Sequence, residues 1–154
     1  SEYLRRLFLN DELAEGRYCV EGTPVALSDL HAPMFVVGTL RDHVAPWRST
    51  YKIHYLAADA DITYVLASGG HNAGIVAPPG DQGHSYQVLG KKAETPYIGP
   101  DEWLRHAPQH EGSWWPEWVR FLVTHSGVPA APPPIGGAKQ EMLADAPGDY
   151  VLQP

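Results

Sequence analysis

Met34-Phe35-Val36-Val37-Gly38 and Ile62-Thr63-Tyr64-Val65-Leu66 are short, continuous runs of apolar and β-branched residues, the pattern of strands covered on both faces. Between them, Pro46 is placed near a helix start, and Ser49 to Ala58 can form about three helical turns. Strand, loop, helix, strand builds a parallel pair in an α/β sheet. Each strand leads into a polar loop, Leu40-Arg41-Asp42-His43-Val44-Ala45-Pro46-Trp47 after the first and Ala67-Ser68-Gly69-Gly70-His71-Asn72-Ala73-Gly74 after the second. An acid and a histidine therefore stand just past two strand ends, where open α/β sheets keep their chemistry.

Working outward, Leu4, Leu7 and Phe8 share helical spacing at the start, with Gly16 as a stop, and the helix begins so close to residue 1 that a cut inside a longer protein is expected. Glu21-Gly22 marks a hairpin-like turn between Arg17–Val20 and Thr23–Leu27. From Pro78 to Gly99 the chain is rich in Gly and Pro, with one short extended piece at Ser85 to Leu89, and Asp101 to Leu104 forms a first helical turn with Pro100 just before it. A further helix is expected from Ser113 to Gly127, with Trp114, Trp118, Phe121, Leu122 and His125 on one face, packed against the sheet. The catalytic unit is expected over 1–127, with a Pro/Ala-rich tail over 128–154.

With 154 residues, 44% hydrophobic and 19% charged, the chain can bury a core of its own. A net charge of -7, with basic residues only paired at Arg5-Arg6 and Lys91-Lys92, argues against nucleic acid as a partner. No apolar stretch approaches the roughly 20 residues needed to span a membrane, and no signal sequence stands at the start, so the cytosol is expected. The single cysteine, Cys19, excludes an intrachain disulfide. Its neighbours Tyr18 and Val20 lack the glycines of a nucleophile elbow, so Cys19 is expected to be a bystander.

A carboxylate beside an imidazole suits proton transfer, in which the acid holds the tautomer and the histidine moves a proton to or from a nucleophile. Asp42 precedes His71, the order of acid and base in α/β-hydrolase chains, and their separation of 29 residues accommodates one helix and one strand. On spacing alone, Asp42 capping the next helix and His71 bonding within a glycine turn is an equal reading. His43 and Trp47 are candidates for lining the substrate entrance or for backing the pair. No metal site is expected, because Pro108 breaks the helix that would align His106 with His110. No Gly-x-Ser-x-Gly or Gly-x-Cys-x-Gly is present, so the nucleophile is not in this chain.

Three stretches carry a resemblance: Arg41 to Trp47, Ala67 to Val76 with Pro78-Pro79-Gly80, and Gly112-Ser113-Trp114-Trp115-Pro116-Glu117-Trp118. With Tyr3 to Leu13 and Ala146 to Val151, they resemble the C-terminal portion of the polyhydroxyalkanoate synthases. The resemblance implies an α/β-hydrolase fold and polymerisation of 3-hydroxyacyl-coenzyme A into a polyester with release of coenzyme A, without a cofactor. It implies that His71 deprotonates a cysteine lying upstream, and that Asp42 either orients His71 or activates the attacking 3-hydroxyl. The partners it implies are the acyl-coenzyme A substrate, the growing polyester and a second copy in a homodimer, at the surface of cytoplasmic polyester granules. The chain by itself is expected to be inactive and to associate through its unpaired sheet edge or its Trp face. The alternatives are a serine-dependent α/β-hydrolase, such as an intracellular polyhydroxyalkanoate depolymerase, and a non-catalytic granule-binding module.

Overall fold

The computed structural model describes residues 1–80, 82–133 and 144–153. Tyr18–Val20 (β1) and Thr23–Val25 (β2) pair antiparallel. Their two-residue turn has Glu21 at φ 50° and Gly22 at φ 80°, the left-handed conformation that two-residue hairpins favour. The main sheet comprises Met34–Thr39 (β3), Ile62–Ala67 (β4), Ser85–Lys91 (β5) and Gln109–Glu111 (β6), in the order β3-β4-β5-β6. Between β3 and β4 lie two short helices, Trp47–Thr50 (α1) and Ile53–Leu56 (α2), in place of one helix of three turns. Pro100–His106 (α3) precedes β6, and Trp115–His125 (α4) follows it.

β3 and β4 run parallel, Met34 opposite Ile62 through Thr39 opposite Ala67, as the intervening helical crossover requires. The sheet is nevertheless mixed: β5 pairs antiparallel with β4, and β6 antiparallel with β5. The expected partial parallel sheet is corrected on this point. Among the described residues the loop between β4 and β5 holds no helix, and a chain that returns without a crossover must pair antiparallel.

β4 is buried on both faces, as its unbroken apolar sequence demands. Ile62, Tyr64 and Leu66 face a cluster of Trp47, Tyr51, Ala57, Ala60, Trp103 and Ala107. Val65 and Ala67 face a second cluster with Ala77, Tyr86 and Trp114. β3 differs from its expected full cover: it is the outer strand, and Met34 to Val37 are only half-buried.

Leu4–Leu9 winds as a π-helix instead of the expected α-helix, with the Asn10 N–H donating to the Arg5 carbonyl. Leu4 is 56% and Phe8 79% exposed, while Leu7 is half-buried, so among the described residues the apolar face is covered only in part. Of the expected Trp face on α4, Trp114 is buried, and Phe121 is half-buried with its ring 5.4 Å from Phe35, while Trp118 and Leu122 stand exposed.

The chain divides into two units, Ser1–Thr124 and His125–Pro154. Within the second, Tyr150–Leu152 forms a 3-10 turn. Of the expected tail, 134–143 and 154 lie outside the described residues. Among the described residues no helix is long and apolar enough to cross a membrane.

Candidate active site

The pairing of β3 with β4 continues past both strand ends. The Leu40 N–H donates to the Ala67 carbonyl at 2.9 Å and the Arg41 N–H to the Gly69 carbonyl at 2.8 Å. These two bonds lay the acid loop alongside the histidine loop, and the His71 Nδ1 donates to the Asp42 Oδ2 at 2.9 Å. The two sequence-predicted residues are therefore in direct contact across 29 positions.

Asp42 is held on every side. Its Oδ1 accepts the backbone N–H groups of Val44 and Ala45, each at 2.8 Å, and its Oδ2 accepts the Thr39 hydroxyl at 3.3 Å besides His71. The Ala45 N–H and then His71, by bonding the ionised form, hold the Asp42 carboxyl well below the usual carboxylate range. An ionised carboxylate only accepts, so the His71 Nδ1 carries the hydrogen of this contact. The His71 side chain is 48% exposed and Asp42 only 8%. An exposed imidazole is thus backed by a largely buried, ionised carboxylate.

The histidine loop is shaped by close packing. Gly69 lies at φ 104°, and a Cβ at Gly74 would stand 2.5 Å from the Thr39 Cγ2 and 2.9 Å from the Ser68 carbonyl oxygen. Only glycine lets this loop fold down onto the end of β3. From 40 residues away the Trp114 Nε1 donates to the Gly74 carbonyl and the Trp115 Nε1 to the Ile75 carbonyl, both at 3.0 Å. The Ser113 Oγ accepts the Trp115 N–H at 3.0 Å, fixing where α4 begins.

Nothing in the sequence marks Thr39, Trp114 and Trp115 as part of the site. The Trp-Trp dipeptide signals large apolar area, not the direction of its two N–H groups. His43, next to Asp42 in sequence, is exposed. Trp47 is 7% exposed and packs its ring against Tyr51 and Trp103, a core position beneath the acid loop and not the rim of an opening. A depression of about 80 Å³ bordered by Leu40, Ser68, Tyr86 and Gln87 lies along the same strand ends. Cys19 sits on the β1–β2 hairpin with its Sγ 3.7 Å from the Arg17 carbonyl oxygen. Among the described residues no group of three His, Cys, Asp or Glu side chains is arranged to hold a metal.

An α/β protein with an ordered carboxylate–imidazole pair past two adjacent parallel strands is equipped for proton transfer to or from a third group. No family model matches the sequence, but curated relatives do. The chain is 36% identical over 151 residues, 97% of its length, to the poly(3-hydroxyalkanoate) polymerase subunit PhaC of Cupriavidus necator. It is 36% identical over 153 residues to the poly(3-hydroxyalkanoate) polymerase of Methylorubrum extorquens, and 36% over 132 residues to poly(3-hydroxyalkanoate) polymerase 2 of Ectopseudomonas oleovorans. The chain belongs to the poly(3-hydroxyalkanoate) polymerase family. It spans about a quarter of the length of these relatives, 25%, 24% and 23% respectively.

Proposed function

We propose that this chain supplies the acid and the base of a covalent acyl-transfer centre in a polyester synthase whose nucleophilic cysteine lies in sequence outside it. The observation that carries this reading is the 2.9 Å contact between the His71 Nδ1 and the Asp42 Oδ2, which leaves the Nε2 as a base. In the proposed cycle the Nε2 takes the proton of the cysteine thiol, and the thiolate attacks the thioester carbonyl of a 3-hydroxyacyl-coenzyme A. The carbon–sulfur bond to coenzyme A breaks, coenzyme A leaves with the proton returned by His71, and the acyl group remains on the cysteine. Attack by a 3-hydroxyl on such an acyl group forms the ester and frees the thiol.

Of the two roles open to Asp42, orientation of His71 has the better support. Both carboxylate oxygens already accept hydrogen bonds, and a carboxylate held below its usual range is a poor base toward an alcohol. The proposed setting is the surface of a polyester granule in the cytoplasm. The partners are acyl-coenzyme A, the polyester and a second copy of the synthase.

The test is His71→Ala in a synthase containing this segment together with the remainder of its length. Turnover of 3-hydroxybutyryl-coenzyme A is expected to fall by about 10²- to 10⁴-fold. Unchanged turnover with lost granule attachment would instead establish a binding module. A serine in place of the cysteine at the nucleophile position would establish a hydrolase. The 154-residue chain assayed alone should release no coenzyme A.

A further inference from the structure

Thr39 is the last residue of β3, stands opposite Ala67 at the end of β4, and is buried. A β-branched residue suits a strand, but valine would pack there as well and bury no polar group. A buried hydroxyl costs stability unless it is bonded, so its partner is informative. The Thr39 Oγ1 donates to the Asp42 Oδ2 at 3.3 Å, the same oxygen that accepts the His71 Nδ1 at 2.9 Å.

The Val44 and Ala45 N–H groups both bond the Asp42 Oδ1, so among the described residues the Oδ2 is held by Thr39 and His71. Of these two donors His71 is half-exposed and Thr39 is the buried one. The Thr39 contact is the longer of the two. It leaves the stronger bond to His71 and guides the direction of the carboxylate without competing for it.

The methyl group of Thr39 serves the other loop. A Cβ built on Gly74 would stand 2.5 Å from the Thr39 Cγ2 and 2.9 Å from the Thr39 Cβ, so the methyl lies against the Gly74 backbone. The Gly74 N–H donates to the Gly70 carbonyl at 2.9 Å, closing the turn that carries His71. One buried side chain thus touches the acid through its oxygen and the histidine turn through its carbon.

We propose that Thr39 is a positioning residue with two separable functions: its hydroxyl sets the direction of the Asp42 carboxylate toward His71, and its methyl sets how closely the turn carrying His71 approaches β3. With both halves preset, the pair keeps its hydrogen bond although the imidazole is half-exposed. The geometric part concerns the pair alone, and its effect on turnover rests on the acyl-transfer reading.

The test compares Thr39→Val, which keeps a methyl and removes the hydroxyl, with Thr39→Ser, which does the reverse. Both are made in the synthase containing this segment, labelled with ¹⁵N-histidine. In Thr39→Val the hydrogen-bonded Nδ1–H signal of His71 should weaken and move upfield, while amide exchange in 70–74 stays as in the wild type. In Thr39→Ser that signal should remain, and exchange in 70–74 should quicken by about 2- to 10-fold, the loss of one buried methyl group. Turnover should fall by about 2- to 10-fold in Thr39→Val with KM unchanged, the loss of one hydrogen bond, and Thr39→Ser should retain more of it. An unaltered Nδ1–H signal in Thr39→Val, both effects together in either variant, or a variant that fails to fold would overturn the proposal. So would wild-type turnover in Thr39→Val where His71→Ala lowers it. If His71→Ala leaves turnover unchanged, the acyl-transfer reading fails, and the signal and exchange patterns still decide the role of Thr39.

Discussion

Asp42 accepts four hydrogen bonds, three of them from groups within three positions of it, and its side chain is 8% exposed. His71 is 48% exposed, and apart from Asp42 its position depends on the backbone that carries it. That backbone is fixed by the packing of Gly69 and Gly74 and by two indoles 40 residues away in sequence. Asp42 is thus held locally and His71 remotely. A local clamp tolerates change elsewhere in the fold, whereas a remote one transmits it.

The contrast breaks most visibly at the acid itself. Asp42→Asn keeps an oxygen for the Val44 and Ala45 N–H groups but turns an amide donor toward the His71 Nδ1, favouring the wrong tautomer. In the synthase containing this segment, turnover is expected to fall by about 10²-fold or more, with the fold retained and thermal stability at neutral pH lowered only by the contribution of the ionised carboxylate. A loss of folding equal to the loss of turnover would mean that Asp42 acts only as a structural bracket for its loop. Next in size is Gly74→Ala. A methyl group 2.5 Å from the Thr39 Cγ2 and 2.9 Å from the Ser68 carbonyl must push the histidine loop off β3. A destabilisation of about 1–3 kcal/mol is expected in denaturant unfolding, together with loss of the hydrogen-bonded Nδ1–H signal of His71 in NMR spectra.

The same contrast explains what could be seen in the sequence. The acid loop, the Glu21-Gly22 hairpin and the helix after Gly99 depend on neighbours in sequence and were legible, and the β3–β4 pair was legible from its two apolar runs and the helical crossover between them. The direct contact between Asp42 and His71 was legible because parallel register makes two strand ends coincide. β6 was not, and β5 was expected only as a short extended piece at Ser85 to Leu89. Gln109-His110-Glu111 has no apolar alternation, and its strand identity comes from Ser85–Gln87 alongside it. Trp114 and Trp115 were legible as apolar bulk only, since the carbonyls they reach are defined by a loop whose shape depends on glycine packing. Trp47 was a candidate for lining an entrance or for backing the pair, and α1 turns its ring inward to Tyr51 and Trp103.

Acid titration sharpens the comparison from the other side. The Asp42 carboxyl is held below its ordinary range in the folded chain, so the unfolded chain binds its proton more readily. Its contribution to stability is present above the ordinary carboxylate pKa of about 4 and is lost as pH falls below it. Glu12, Asp61 and Asp101 are lowered as well, by Arg6, Lys92 and Arg48. The wild-type midpoint should therefore decline below about pH 4, and Asp42→Asn should lessen that decline without removing it. An identical decline in the variant would show that the Asp42 pairing does not persist in solution.

The smallest effects come from the two indoles, and their ranking is the finer test of a remote clamp. Trp114 and Trp115 donate at the same 3.0 Å, so geometry alone predicts equal losses when each is changed to Phe. Their acceptors differ. The Gly74 carbonyl belongs to a buried residue, while Ile75 is 39% exposed and its carbonyl can turn to water. Removing a donor from a buried carbonyl leaves its full desolvation cost, about 1–3 kcal/mol, whereas a carbonyl that water reaches loses about 0.5 kcal/mol. Trp114→Phe should therefore speed amide exchange in 69–76 more than Trp115→Phe, and both should leave the Val44 and Ala45 amides as protected as before. Equal acceleration in the two loops by either variant would mean that acid and base share one support, and the distinction between a local and a remote hold would fall.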